Sequence, residues 1–466
     1  MKAAVIIVIL ILYMAFMLYI GLSGKKYAEN FSDFLTAGKQ GKLHLTVGSY
    51  VGGHVGTGIV VGGATYGVAY GIGGIWFGLG AALSYALFGL FVAKWARSHN
   101  YLTIPTYLRE RYPKTGKLMT IIWAILGACV AVTTLTGQII AGRALFSYIG
   151  VDPLIGTIVS VIVIAFYCGA AGMFGVIATD FWQSIIIIVG LVIAMFCCFS
   201  NGGWTQMITT LPESSFNLFS FDAETLILML VPTAIYGLTS GASMQLTASA
   251  DSDKTAVRAP LIAAVFVALY TLMPVLLGMY GATEFPEAEA SSIIFTVIIN
   301  KLPTVIAGLM LAAIVAAVMS TCDTTIMTII TSLVFDAYGN VLCPMMGKKA
   351  DPVKQKKASS IGGYVLMLIA MLLAFVSNDI VGVLSSGYTI WVAGGMIPFL
   401  AGRLWKRTTS WGSLASMIVG SIFAFLNLLG ITHFPTSLFC LIPAAITVVI
   451  VSLLTPDEKV EIPGCR

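Results

Sequence analysis

The sequence predicts an all-α polytopic membrane protein with 13 transmembrane helices, and three observations carry that prediction. Of its 466 residues 58% are hydrophobic and only 10% are charged, whereas a soluble chain carries roughly 25% charged residues. Apolar runs of about 20 residues recur along the whole length, each enough to cross a ~30 Å hydrocarbon core. The loops between them alternate between basic and non-basic, as the positive-inside rule demands. A transmembrane β-barrel is excluded, because its strands alternate polarity in segments of ~10 residues and give no unbroken apolar runs.

The expected spans are 3–22, 45–70, 72–96, 118–146, 153–171, 173–199, 222–245, 258–282, 303–335, 358–377, 380–404, 409–430 and 436–455. The first has a single lysine before it and no A-x-A cleavage site, so it is expected to be retained rather than removed as a signal peptide. TIPTYLRERY at 103–112 is too polar to cross and is expected to lie along the membrane surface. GGWTQMITTLPESSF at 202–216 and the acidic stretch before Ile293 are expected to be short helices or loops on the opposite side.

Of the 25 basic residues, all but Lys2, Arg143 and Lys301 fall on one side of this arrangement. That side is therefore cytoplasmic. An odd number of spans then puts the N-terminus outside and the C-terminus in the cytoplasm. The net charge of +5 is a consequence of this topology and not a nucleic-acid signal. The eight cysteines form no CxxC pair, so neither a disulfide framework nor a zinc site is expected.

Few ionisable residues fall inside spans: His54 in the second, Asp180 in the sixth and Asp323 in the ninth. Such groups are costly in hydrocarbon and mark functional sites by default, although each can also serve as a satisfied polar contact between helices. Span 2 contains SYVGGHVGTG (49–58), a cluster of poor helix formers at membrane depth. Span 7 contains PTAIYGLTSGASM (232–244), with Pro232, Gly237 and Gly241 among hydroxyl residues. Two interrupted helices five spans apart point to an inverted-repeat transporter with its site near the midplane. Spans 2–6 and 7–11 are then the two repeats. The boundaries follow as 1–44 for an extra N-terminal helix and loop, 45–199 and 200–404 for the repeats, and 405–466 for two C-terminal helices and a tail. Small-residue packing between helices explains Gly67 and Gly71 equally well, but explains the GGHVGTG cluster poorly. Span 9 carries AAVMSTCDTTIMT (316–328), a dense hydroxyl cluster of the kind a hard cation prefers. An isolated Ser-Thr pair by itself more often bonds back to its own helix.

Taken in order, these stretches resemble the sodium–solute symporters, a family with the leucine-transporter-like fold. DFLTAGK (33–39), TIPTYLRERY, YCGAAGMFG (167–175), ATDFWQ (178–183), QLTASADSDKTA (245–256) and AAVMSTCD (316–323) each resemble a family element. The sequence departs from the family pattern at Cys168, Ala171, Gly175 and Leu246. The resemblance implies one sodium site between spans 2 and 9, with carbonyls of Gly52 and Val55 from the break and Ala317, Ser320 and Thr321 from span 9. Asp180 matches a nearby acid of the family. His54, Thr57, Gln138, Tyr236 and Ser240 are the implied solute contacts. His54 stands where relatives often have Asp or Asn, and Gly58 and Ile59 where sugar carriers have polar contacts. This argues against a sugar and for an organic acid or amino acid.

The resulting expectation is a sodium-coupled symporter that imports a small organic solute by alternating access as a monomer in the cell membrane. Na⁺ is co-transported and no cofactor is needed. The rival within the same fold is proton coupling through His54 or Asp323. An enzyme is not expected, because no HExxH, GxSxG or GK[ST]-ended phosphate loop is present. A sensor is not expected either, since no kinase, receiver or nucleotide-binding pattern follows residue 455.

Overall fold

The computed structural model describes residues 2–54, 56–200, 202–376, 387, 389–429, 431, 437–456 and 458. In chain order the helices are α1 (Lys2–Ser23), α2 (Phe31–Thr36), α3 (Leu43–His54), α4 (Thr57–Tyr70), α5 (Ile75–Phe88), α6 (Lys94–Ser98), α7 (Ile104–Arg111), α8 (Gly116–Tyr148), α9 (Pro153–Phe199) and α10 (Gly203–Thr210). Then follow α11 (Ala223–Tyr236), α12 (Gly241–Ser249), α13 (Asp253–Tyr270), α14 (Leu272–Glu284), α15 (Ile293–Lys301) and α16 (Thr304–Met345, π-wound over Thr331–Leu342). The last are α17 (Pro352–Val376), α18 (Thr389–Leu404), α19 (Ser410–Leu428) and α20 (Leu441–Leu454).

Among the described residues 8 helices are long and apolar enough to cross a membrane, or 9 if the pair α11 and α12, bent by 45°, is one span. The expected spans 380–404 and 436–455 are described only in part, as α18 and α20. Expected spans 5 and 6 are the two parts of α9, whose helical geometry is interrupted at Gly172, between 171 and 173. Gly172 has φ +61, a backbone region that favours glycine. A methyl group there would also approach the carbonyl oxygen of Phe34 to 2.6 Å.

Both expected interruptions are present. α3 stops at His54 and α4 begins at Thr57, with Gly56 extended (φ −61, ψ −177) as its N-cap. α11 carries Pro232, gives way to a 3₁₀ turn at Gly237–Thr239, and restarts as α12. The Ser240 hydroxyl accepts from the Ser243 N–H at 3.2 Å and so caps the restarted helix.

α16 lies at the centre. Every residue from Met310 to Ser320 is buried, as expected for a helix surrounded by others. α1 instead turns Val8, Ile11, Leu12 and Tyr19 outwards, an apolar surface suited to lipid. α3 lies close on α9 because glycines let it: a methyl group at Gly52 would sit 2.7 Å from the Asp180 carbonyl oxygen. α4 and α14 meet in the same way, since methyl groups at Gly67 and Gly278 would overlap the carbonyls of Val275 and Ala64. The polar segment 103–112 is a helix, α7, started by Pro105 in its first turn.

Candidate ion and solute site

The break in span 2 lies against the hydroxyl-rich part of α16. Ser320 Oγ donates to the Gly52 carbonyl at 2.9 Å and lies 3.2 Å from the Ala317 carbonyl. Thr321 Oγ1 is 3.1 Å from the Ala317 carbonyl and 3.4 Å from the Gly53 carbonyl. Four of the five implied sodium ligands, Gly52, Ala317, Ser320 and Thr321, therefore converge in one buried cluster of oxygens. The fifth, Val55, lies outside the described residues. The Gly53 carbonyl belongs to the cluster as well. Sequence reasoning did not single it out, although it is adjacent to Gly52 in the same glycine pair.

Among the described residues no Lys or Arg side chain hydrogen-bonds to the cluster, whose oxygens are neutral. Rotating the two hydroxyl hydrogens away presents lone pairs beside two or three carbonyl dipoles, the ligand chemistry of a hard monovalent cation. Glycine is needed at 56 for the same approach, because a methyl group there would overlap the Thr321 hydroxyl.

A second polar group adjoins it. Asp180, fully buried, accepts from Ser49 Oγ at 2.5 Å and from Thr324 Oγ1 at 3.3 Å, both on Oδ2. Its Oδ1 is buried without a hydrogen-bond partner among the described residues. Asp323, also buried, accepts from the Thr324 N–H at 2.6 Å and from Thr179 Oγ1 at 3.4 Å. The Thr324 hydroxyl thus lies within reach of both carboxylates. Asp180 was expected near the sodium ligands, and its backbone touches the face of α3 that carries Gly52. Ser49 and Thr324 are the partners that sequence reasoning missed.

The implied solute contacts fall in two groups. Thr57, at the start of α4, donates its hydroxyl to Gln138 Oε1 of α8 at 2.8 Å, and its N–H lies 3.4 Å from the same oxygen. Tyr236 and Ser240 flank the break in span 7, where Tyr236 faces Trp391 of α18 with ring centroids 6.5 Å apart. Trp391 Nε1 donates to Thr239 Oγ1 at 3.0 Å, and its ring meets Trp123 edge-on at 4.7 Å. Trp391 carries no sequence signal beyond being a large aromatic in an apolar span. The His54 side chain lies outside the described residues.

Comparison with known proteins gives a family match over most of the chain. The model of the Sodium:solute symporter family matches residues 34–420. The high-affinity proline transporter PutP of Bacillus subtilis (strain 168) is 26% identical, over 87% of this chain and 88% of its own length. The sodium/glucose cotransporter 4 of Danio rerio is 24% identical, over 89% of this chain and 71% of its own. A solved structure of a Na⁺-coupled sialic acid symporter, substrate-bound and outward-open, covers 98% of this chain and 99% of its own, with a TM-score of 0.81 at 18% identity. That likeness identifies the fold, a leucine-transporter-like helical assembly.

Proposed function

The chain belongs to the sodium:solute symporter family, a family of multi-pass membrane transporters and not enzymes, and from that premise we propose that it imports a small organic acid or amino acid together with Na⁺. The observation that carries this reading is the convergence of Ser320 and Thr321 on the carbonyls of Gly52, Gly53 and Ala317 at a helix break. Na⁺ binds there from outside, holding the unwound backbone. The solute binds near the midplane beside Thr57, Gln138, Tyr236 and Ser240, with His54 as a further contact. The proline transporters among the relatives support the amino-acid class.

In this reading there are 13 spans, with 45–199 and 200–404 as inverted repeats, the N-terminus outside, the C-terminus in the cytoplasm, and a functional monomer. Spans 2, 3, 7 and 8 move as a bundle against the rest. One Na⁺ moving down ~100 mV contributes about 2.3 kcal/mol, and a tenfold gradient adds ~1.4 kcal/mol. Together they sustain roughly 500-fold accumulation of a neutral solute at one ion per solute.

The test is uptake into proteoliposomes with Na⁺ and pH gradients imposed separately, using a solute found by thermal-shift screening with and without Na⁺. Uptake should follow the Na⁺ gradient. Uptake that ignores Na⁺ and follows the pH gradient would replace sodium with proton coupling.

A further inference from the structure

We propose that α7 is the inner gate of the transporter: its first turn, Thr103–Pro105, blocks the way from the break in span 7 to the basic face, and a latch between Asp336 and Arg109 holds it there. The proposal rests on the alternating-access reading above.

α7 is fixed at its C-terminal end. Arg111, fully buried, donates through Nε to the Gly402 carbonyl at 3.1 Å and through Nη2 to the Thr408 carbonyl at 2.9 Å. The Tyr112 hydroxyl donates to the Pro398 carbonyl at 2.8 Å. All three acceptors lie in α18 or just beyond it, which ties this end to span 11.

The N-terminal end is held differently. Thr103 occupies the N-cap position but makes no cap bond. Its hydroxyl donates instead to Asp336 Oδ1 at 2.9 Å. Arg109, in the last turn of α7, reaches the same oxygen through Nη1 and Nη2 at 3.2 and 3.3 Å. Asp336 is fully buried on the π-wound extension of α16, and its Oδ2 has no hydrogen-bond partner among the described residues. Polar contacts from the first turn (Thr103, Thr106) and from Arg109 in the last turn thus meet on one carboxylate oxygen, with Ile104, Pro105 and Leu108 buried beside them. Arg109 is 17% exposed, so the latch borders water.

The obstruction is the first turn itself. Thr103, Ile104 and Pro105 line a cavity of about 10 Å³ together with Gly241, Gln245 and Thr331. That volume holds a single water and no solute. Gly241 is the first residue of α12, so the first turn of α7 abuts the restart of the broken span. A solute leaving the break towards the basic face has to separate these walls. Removing one partner of a buried ion pair leaves the other uncompensated and favours its hydration, which here withdraws the first turn of α7.

Ser332 lines the same cavity and reports its opening as Ser332→Cys. Inside-out vesicles are treated with a charged maleimide, and modification at 332 is read by peptide mass spectrometry, which separates it from the native cysteines. Asp336→Asn and Arg109→Ala should each label at least about tenfold faster than the latched protein, a shift of ~1.4 kcal/mol towards the open gate. Arg109→Lys, which keeps the charge, should stay near the parental rate. If Asp336→Asn fails to reach the membrane, Arg109→Ala on the partly exposed partner carries the test. Equal rates in parent and latch variants overturn the gate. A parental rate that ignores Na⁺ contradicts the alternating-access reading instead, so the two failures are distinguishable.

Discussion

Ser320 has a hydroxyl with two carbonyls in reach, one from its own helix and one from the break in span 2. A helix-interior serine in an apolar span ordinarily needs only the first. The second contact makes it a candidate ligand, and Thr321 repeats the pattern with Gly53. Ser320→Ala and Thr321→Ala should each raise the Na⁺ concentration for half-maximal uptake by about tenfold, ~1.4 kcal/mol, with little change in expression. Uptake curves against Na⁺ check this, and unchanged half-saturation in both variants removes the assignment. Gly52→Ala should fare worse, because its methyl group would sit 2.7 Å from a backbone oxygen that has no freedom to retreat. Loss of Na⁺-driven uptake with a lowered melting temperature is the expected result. At this scale the sequence singled out the hydroxyl-rich stretch of α16 that meets the break in span 2, since a Ser-Thr-x-Asp-Thr-Thr cluster in an apolar run is conspicuous. It did not reveal the Gly53 carbonyl or Trp391, whose roles depend on which backbone atoms and rings a fold brings together.

The helix breaks belong to the next scale. Both were legible because glycine and proline are costly inside a helix and cluster at 52–58 and 232–241. α7 was legible from its charge. The boundary between expected spans 5 and 6 was legible too: the helical backbone of α9 is interrupted at Gly172, between 171 and 173. Gly67 was expected to serve close packing, and it lies against the backbone of Val275. Gly67→Val should push α4 and α14 apart, destabilising the protein by about 1–3 kcal/mol. Its melting temperature should fall, while Gly142→Ala, where a methyl group meets nothing within 4 Å, should leave it unchanged. A Gly67→Val variant that melts with the parent argues against packing as the reason for that glycine.

Across the whole molecule, the oxygen cluster joins the broken span 2 to α16, which the proposed reading assigns to different repeats. Na⁺ bound there would bias the relation between the two, and a solute bound beside the same break would feel that bias. In the proposed reading α7, tied to α18 and to Asp336 of α16, is the gate at the basic face, and Na⁺ at the centre and this gate would act on one two-state element. The measurement that tests this account most directly needs no solute. It is equilibrium binding of radioactive sodium to the purified protein, compared with the Ser320→Ala, Thr321→Ala double variant. The account predicts saturable binding in the parent and a component of it lost in the double variant, at unchanged folding. Identical binding in both proteins would contradict it.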